Sequence, residues 1–196
     1  MSVLLSCIMI PTSCDENEEQ THNGAYSLRD IGPAGGWIFY INPNYKTDGW
    51  RYIEAAPSDQ SPKVWGSFET AVTGADGTII GTGAQNTMDI INSDPSNNTA
   101  AFACADYSIV KDGVTYDDWF LPSRDELEKM FTNLRLKGVG DFPTNSMDYY
   151  ETYWSSTEGG VELSWGKCFE TAELRAGTKK YPLSIRPVRV FQEPGL

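Results

Sequence analysis

At 196 residues and a formal net charge of −12, the chain suits one domain with a short tail and is long enough to bury a substantial core. The acidic balance argues against a nucleic-acid binder, whose phosphates need a basic face, and against long-range attraction to anionic lipid or sulfated polysaccharide. Six Trp, ten Tyr and eight Phe, with 18 Gly and 11 Pro, suit a loop-rich binding domain better than a helical bundle.

Val3-Leu4-Leu5-Ser6-Cys7 has an aliphatic residue three places before a cysteine and a small residue just before it. That pattern resembles the end of a bacterial lipoprotein signal, with Cys7 the expected lipidated residue; Cys14, with Pro11 at the aliphatic position, fits less well. No Lys or Arg precedes the short apolar run, as a full signal would require. Residues 15–24 are acidic and lack apolar side chains, so they form a tether that adds nothing to a core. Residues 1–29 are thus leader and tether, 30–192 a single domain, and 193–196 a tail. His22, the only histidine, falls in the tether. The domain therefore has no Ser-His-Asp or Cys-His machinery and no histidine-based zinc site. No run of 18 apolar residues occurs, so no transmembrane helix is expected.

Trp37-Ile38-Phe39-Tyr40-Ile41 reads as a strand, ended by Asn42-Pro43-Asn44, with residues 49–56 as its hairpin partner. The glycines from Gly77 to Gly83 lack the Lys-Ser/Thr of a phosphate loop and make a turn into the first helix. A short helix over 87–92 is cut by Asp94-Pro95, and Thr99 caps a second helical piece through Cys104. The strongest signal follows. Ser123 stands three residues before Glu126, a reciprocal capping box. Leu127, Met130, Phe131 and Leu134 then recur at the spacing of one buried helical face. From Tyr153 onward the chain reads as strands over 153–156, 162–170 and 183–191. Two helical regions inside a β-rich chain define an α+β class.

Six segments stand in order along the chain: Gly35-Gly36-Trp37-Ile38-Phe39-Tyr40; Gly49 to Pro57; Ile80-Gly81-Thr82-Gly83-Ala84-Gln85-Asn86-Thr87; Trp119 to Leu127; Tyr153-Trp154-Ser155-Ser156-Thr157-Glu158; and Arg186-Pro187-Val188-Arg189-Val190-Phe191. Together, over about Ile31 to Phe191, they resemble the C-terminal domain family of the Legionella collagen-like adhesin, a C-type-lectin-like domain of bacterial surface lipoproteins. The resemblance implies a C-type-lectin-like fold of mixed antiparallel strands and two helical regions, with a surface role. It carries little about activity, since one fold hosts many functions.

Under that resemblance the loop half that faces ligand holds Tyr149, Tyr150, Tyr153, Trp154 and Trp165, aromatic faces of the kind that bind sugars and protein hot spots. The polar stretch 158–180 between them suits display on a rigid scaffold. Glu158, Arg175, Lys179 and Lys180 join Tyr153, Trp154 and Trp165 as the expected ligand contacts. Trp119, Ser123, Glu126 and Arg186 are expected to be structural, Arg186 pairing with the Asp125-Glu126 helix start as the last strand packs in lectin-like domains. The calcium tripeptides of sugar-binding C-type lectins are absent; Trp154-Ser155-Ser156 is the nearest counterpart. Calcium from Asp112, Asp117 and Asp118 stays an open alternative to no cofactor. An exported compartment and the lectin-like arrangement favour a Cys104–Cys168 disulfide, the alternative being two buried thiols. The late paired cysteines of the related formylglycine-generating enzymes are not reproduced.

The expectation is a non-catalytic binding module of the bacterial envelope, exported as an outer-membrane or cell-surface lipoprotein, touching the membrane only through its lipid anchor. Its ligand, an extracellular glycan or protein, meets the surface of residues 149–180. Sulfated glycosaminoglycan rests only on the five basic residues between 174 and 192: Arg175, Lys179, Lys180, Arg186 and Arg189. The alternatives are a structural envelope protein without a soluble ligand, and a formylglycine-generating-like or metal-dependent enzyme.

Overall fold

The computed structural model describes residues 25–143 and 152–193. They form an α+β structure of two main sheets and a hairpin. Strand β1 (Trp37–Ile41) pairs antiparallel with β2 (Tyr52–Ala55), the hairpin expected from their patterns. Between them Asn42 accepts from the Asn44 amide and donates to Asp48. The turn then winds into one helical turn, α1 (Tyr45–Asp48), closed by Gly49 at φ 78°. After β2 come β3 (Gln60–Lys63), α2 (Gly83–Ser93) and α3 (Ala100–Ala105). The hairpin β4 (Ile109–Lys111) with β5 (Val114–Tyr116) follows, then α4 (Arg124–Asn133). The chain finishes with β6 (Thr152–Glu158), β7 (Leu163–Cys168), β8 (Leu174–Thr178), β9 (Leu183–Ile185) and β10 (Val188–Phe191).

Sheet order is β1-β2-β10 in the smaller sheet and β3-β9-β6-β7-β8 in the larger. The single closing strand expected over 183–191 is therefore two. Proline at 187 has no N–H for a ladder, and the chain changes sheets there: β9 pairs with β3 and β6, β10 with β2. The strand expected over 162–170 is β7, and after a tight turn it is followed by β8, which was not expected.

Helix α4 starts as its sequence dictates. The Ser123 side chain accepts from the Glu126 amide and the Glu126 carboxylate accepts from the Ser123 amide at 2.7 Å. Glu126 also takes the Gly81 amide at 2.7 Å, tying the glycine turn ahead of α2 to the start of α4. Gly83 is required at that junction, because a Cβ there would stand 2.3 Å from Glu126 Oε2 and 2.9 Å from the Ser123 nitrogen. The α4 face Leu127, Met130, Phe131 and Leu134 packs on Phe39, Ile53, Phe120 and Val188, forming one core. A second core gathers α2, α3 and the larger sheet around Trp65, Ile90, Ala101, Leu121 and Ile185. Strand β6 separates the two. Its alternation sends Tyr153 into the first core and Trp154 into the second, both without solvent exposure.

Cys104 and Cys168 are not joined; both are free, buried thiols, which corrects the expected disulfide. Cys104 belongs to the second core, whereas Cys168 ends β7, next to Phe169 of the first. Burial pushes the Cys104 thiol far up, so it has no thiolate to offer.

Candidate functional site

The five cations of the closing segment divide by environment. Arg186 is 1% exposed. Its Nε donates to Asp59 at 2.5 Å and its Nη1 to the carbonyls of Ala56, Pro57 and Gly140, with the guanidinium 4.4 Å from the Phe142 ring centre. The expected partner was the α4 start; the real one is Asp59, in the loop before β3. Glu126 is committed to the capping box, and Asp125 pairs with neighbouring Arg124. Tyr153 serves the same cluster, donating its hydroxyl to the other Asp59 oxygen at 2.6 Å. A buried guanidinium needs this many acceptors to offset its lost hydration.

Arg189 reaches Asp118 through Nε and Nη2 at 2.6 and 2.9 Å, and Glu54 through Nη1 at 3.2 Å. The Tyr116, Trp119 and Phe191 rings surround its guanidinium. Trp119 is itself buried and donates its indole N–H to the Tyr116 carbonyl. Glu54 has no exposure and one oxygen without a hydrogen-bond partner; burial raises its carboxyl to about 7, against the lowering pull of Arg189. Buried Glu126 is likewise raised, to about 6. These displaced carboxyls lie inside the packing, closed to any ligand.

Lys179 is also buried. Its Nζ donates to Glu158 at 2.5 Å and to the Thr70 carbonyl at 2.9 Å, and lies over the Trp65 ring. Glu158 accepts from the Val72 amide as well. Trp154 donates its indole N–H to the Lys63 carbonyl, and the Ser155 and Ser156 hydroxyls are tied to Trp165 and Asn86. Of the expected ligand contacts, then, Tyr153, Trp154 and Lys179 are interior groups with satisfied partners, and Glu158, though partly exposed, is taken up by Lys179 and the Val72 amide. Sequence alternation alone could not separate an aromatic pair at a rim from one that divides two cores.

Trp165, Arg175 and Lys180 remain accessible. Trp165 is half-buried on β7; Arg175 and Lys180 are exposed at the two ends of β8. Arg175 is held by Glu173 on the same edge, at 2.6 Å. Lys180 lies 4.8 Å from the Phe68 ring centre and 5.6 Å from that of Tyr181, which is 59% exposed. Leu163 and Leu174 add apolar surface beside Trp165, at 40% and 44% exposure. Phe68, Tyr181 and the leucines were missed from sequence; a tyrosine following two lysines was the available signal. The β7–β8 edge is thus amphipathic, with Leu163, Trp165 and Leu174 on one side and Arg175 on the other; it is suited to stacking and hydrogen bonding and has no nucleophile–base pair.

Asp118 is committed to Arg189, while Asp112 sits at φ 52° in the β4–β5 turn. Among the described residues, no group of three or more His, Cys, Asp or Glu side chains is placed to hold a metal ion. No described helix is long and apolar enough to cross a membrane. Cys7, Tyr149 and Tyr150 lie outside the described residues.

No protein-family model matches the chain, and no curated protein matches it. Among solved structures it is similar to a fimbrial protein from Bacteroides ovatus ATCC 8483, at 16% identity and a TM-score of 0.41. That alignment covers 75% of this chain and 37% of the fimbrial protein. Likeness at that level assigns neither a fold family nor a role.

Proposed function

We propose that the chain is a non-catalytic binding module of a bacterial envelope lipoprotein, anchored at Cys7, lectin-like in fold and related to the collagen-like adhesin C-terminal domain, and without a cofactor. The observation that carries this reading is the contrast along the closing segment: three cations are neutralised in the interior, while half-buried Trp165 on one side of the β7–β8 edge, Arg175 on the other, and Lys180 and Tyr181 just beyond β8 stay accessible. Aromatic planes beside a few cations suit a neutral or weakly acidic glycan, or a protein hot spot. With Lys179, Arg186 and Arg189 each matched to carboxylates, a densely sulfated polysaccharide is a poor fit. The protein should pass through a heparin column at physiological ionic strength.

The test is a glycan array run beside a pull-down from envelope extract, with wild type and the Trp165→Ala/Lys180→Ala variant. Recovery of a ligand by wild type and its loss in the variant, at unchanged melting temperature, supports the reading. A ligand that both retain equally moves the site elsewhere. Recovery of envelope proteins alone, indifferent to the variant, favours a purely structural role.

A further inference from the structure

The two edges of the larger sheet are treated differently. At one edge β3 carries Pro62 and an irregular register against β9, devices that discourage a further strand. At the other edge β8, Leu174-Arg175-Ala176-Gly177-Thr178, has no proline and pairs with β7 in unbroken register.

The hydrogen-bond phase of β8 follows from its flanks. Cys168 donates to the Glu173 carbonyl at 2.9 Å and Lys179 to the Glu162 carbonyl at 3.0 Å. Opposed residues in an antiparallel pair alternate between bonded and non-bonded pairs. In this register Gly166 opposite Arg175, and Ser164 opposite Gly177, are therefore bonded pairs. Leu174, Ala176 and Thr178 turn their N–H and C=O groups outward, where no strand among the described residues lies. Thr178's carbonyl is taken by the Tyr181 amide at 3.0 Å. Leu174 and Ala176 remain as two complete donor–acceptor sets facing outward. Their side chains share a face with Leu163 and Trp165, since opposed residues lie on the same side.

We propose that β8 pairs antiparallel with β8 of a second copy of this chain, about a two-fold axis between the two Arg175 residues. The register is set by three self-complementary features. Leu174 of each copy meets Ala176 of the other, which brings outward-facing backbone groups into bonded pairs, two bonds at each of two symmetric places. Large meets small at both, merging the two Leu163–Trp165–Leu174–Ala176 strips into one apolar band. On the opposite face the two Arg175 side chains stand directly opposite each other at the axis, and Glu173 of each copy, already paired with its own Arg175, lies diagonal to Arg175 of the other, so two carboxylates flank and offset the two guanidiniums. An isologous interface requires this matching of a patch with itself. The pairing needs no ligand but shares Arg175 and the Trp165 strip with the proposed binding surface, so it is measured on ligand-free protein.

Sedimentation equilibrium of the full chain tests it. Wild type should show a reversible monomer–dimer equilibrium. Ala176→Pro removes an outward N–H that β7 does not use, and should raise the dimer dissociation constant by about tenfold or more, roughly the effect of losing 1.4 kcal/mol, at unchanged melting temperature. Should that proline disturb the fold, Ala176→Lys places a charge opposite Leu174 of the other copy and should have the same effect. A wild-type chain monomeric up to its solubility limit overturns the proposal. So does a dimer that persists in both variants. Ligand capture by a monomeric wild type would leave the binding reading intact while this one fails.

Discussion

Arg186 and Arg175 stand close in sequence, in similar company, yet they live in opposite settings. Arg186 has its charge enclosed by Asp59, three carbonyls and the Phe142 ring, and its hydrogen bonds reach the loop before β3 and the turn at Gly140. Arg175 meets only Glu173, in solvent. The same division separates buried Lys179 from exposed Lys180, its immediate neighbour. A cation is retained inside only where carboxylates and carbonyls replace its water. The sequence shows five positive charges, and topology decides that three hold the fold and two face outward.

Breaking the interior set should have the largest consequence. Arg186→Ala leaves Asp59 and the Tyr153 hydroxyl without their cation and should cost about 3–5 kcal/mol in denaturant unfolding. Arg186→Lys should recover only part of it, since an ammonium cannot reproduce the guanidinium fork. Loss of stability below about 1 kcal/mol for Arg186→Ala would mean the cluster is wetter than its packing implies.

A pH effect of the opposite sign to acid denaturation comes next. Glu54 and Glu126 have folded-state carboxyls raised by burial to about 7 and about 6, above their ordinary 4.5. The folded state binds protons more tightly, so the associated stability is present below pH 4.5 and is lost as pH rises through 6 and 7. Stability should fall between pH 5 and pH 8 by on the order of 3 kcal/mol. Glu54→Gln should flatten the upper part of that slope. Stability that rises steadily to pH 8 would show both carboxylates to be comfortable when charged.

Ser123→Ala tests a local contact shared by both halves of the fold. It removes the α4 cap and a bond to the Ile79 carbonyl, and should lower stability by about 0.5–2 kcal/mol. At the bottom of the scale, Arg175→Ala and Lys180→Ala should leave the melting temperature within experimental error, because surface ion pairs contribute little. A marked drop for either would move that residue into the structural group.

Much of the fold was legible because its local signals are strong. The capping box and the Leu127, Met130, Phe131, Leu134 spacing placed α4, and Thr99 capped α3 as expected, its side chain accepting from the Phe102 amide. The β1–β2 hairpin followed from its apolar run. The β4–β5 hairpin was legible but passed over: Asp112-Gly113 is a turn pair, with φ 52° and 77°, that fits a two-residue hairpin. Strands β3 and β8 were not legible, since Gln-Ser-Pro-Lys and Leu-Arg-Ala-Gly-Thr lack an apolar alternation. Aromatic and charged residues do crowd the late strands, but whether Trp154 or Trp165 faces solvent depends on which helices cover each face of the sheet, a long-range fact that no local pattern contains. The partner of Arg186 was hidden for the same reason.

The most direct measurement is the affinity of the Arg175→Ala/Lys180→Ala variant for whatever glycan or protein the wild-type chain captures, taken beside its thermal unfolding curve. The expected result is a loss of about tenfold or more in affinity, equivalent to roughly 1.4 kcal/mol, with an unfolding curve that overlays the wild type. Unchanged affinity in a stably folded variant would contradict the assignment of the outward cations to ligand and leave the β7–β8 face without a binding role.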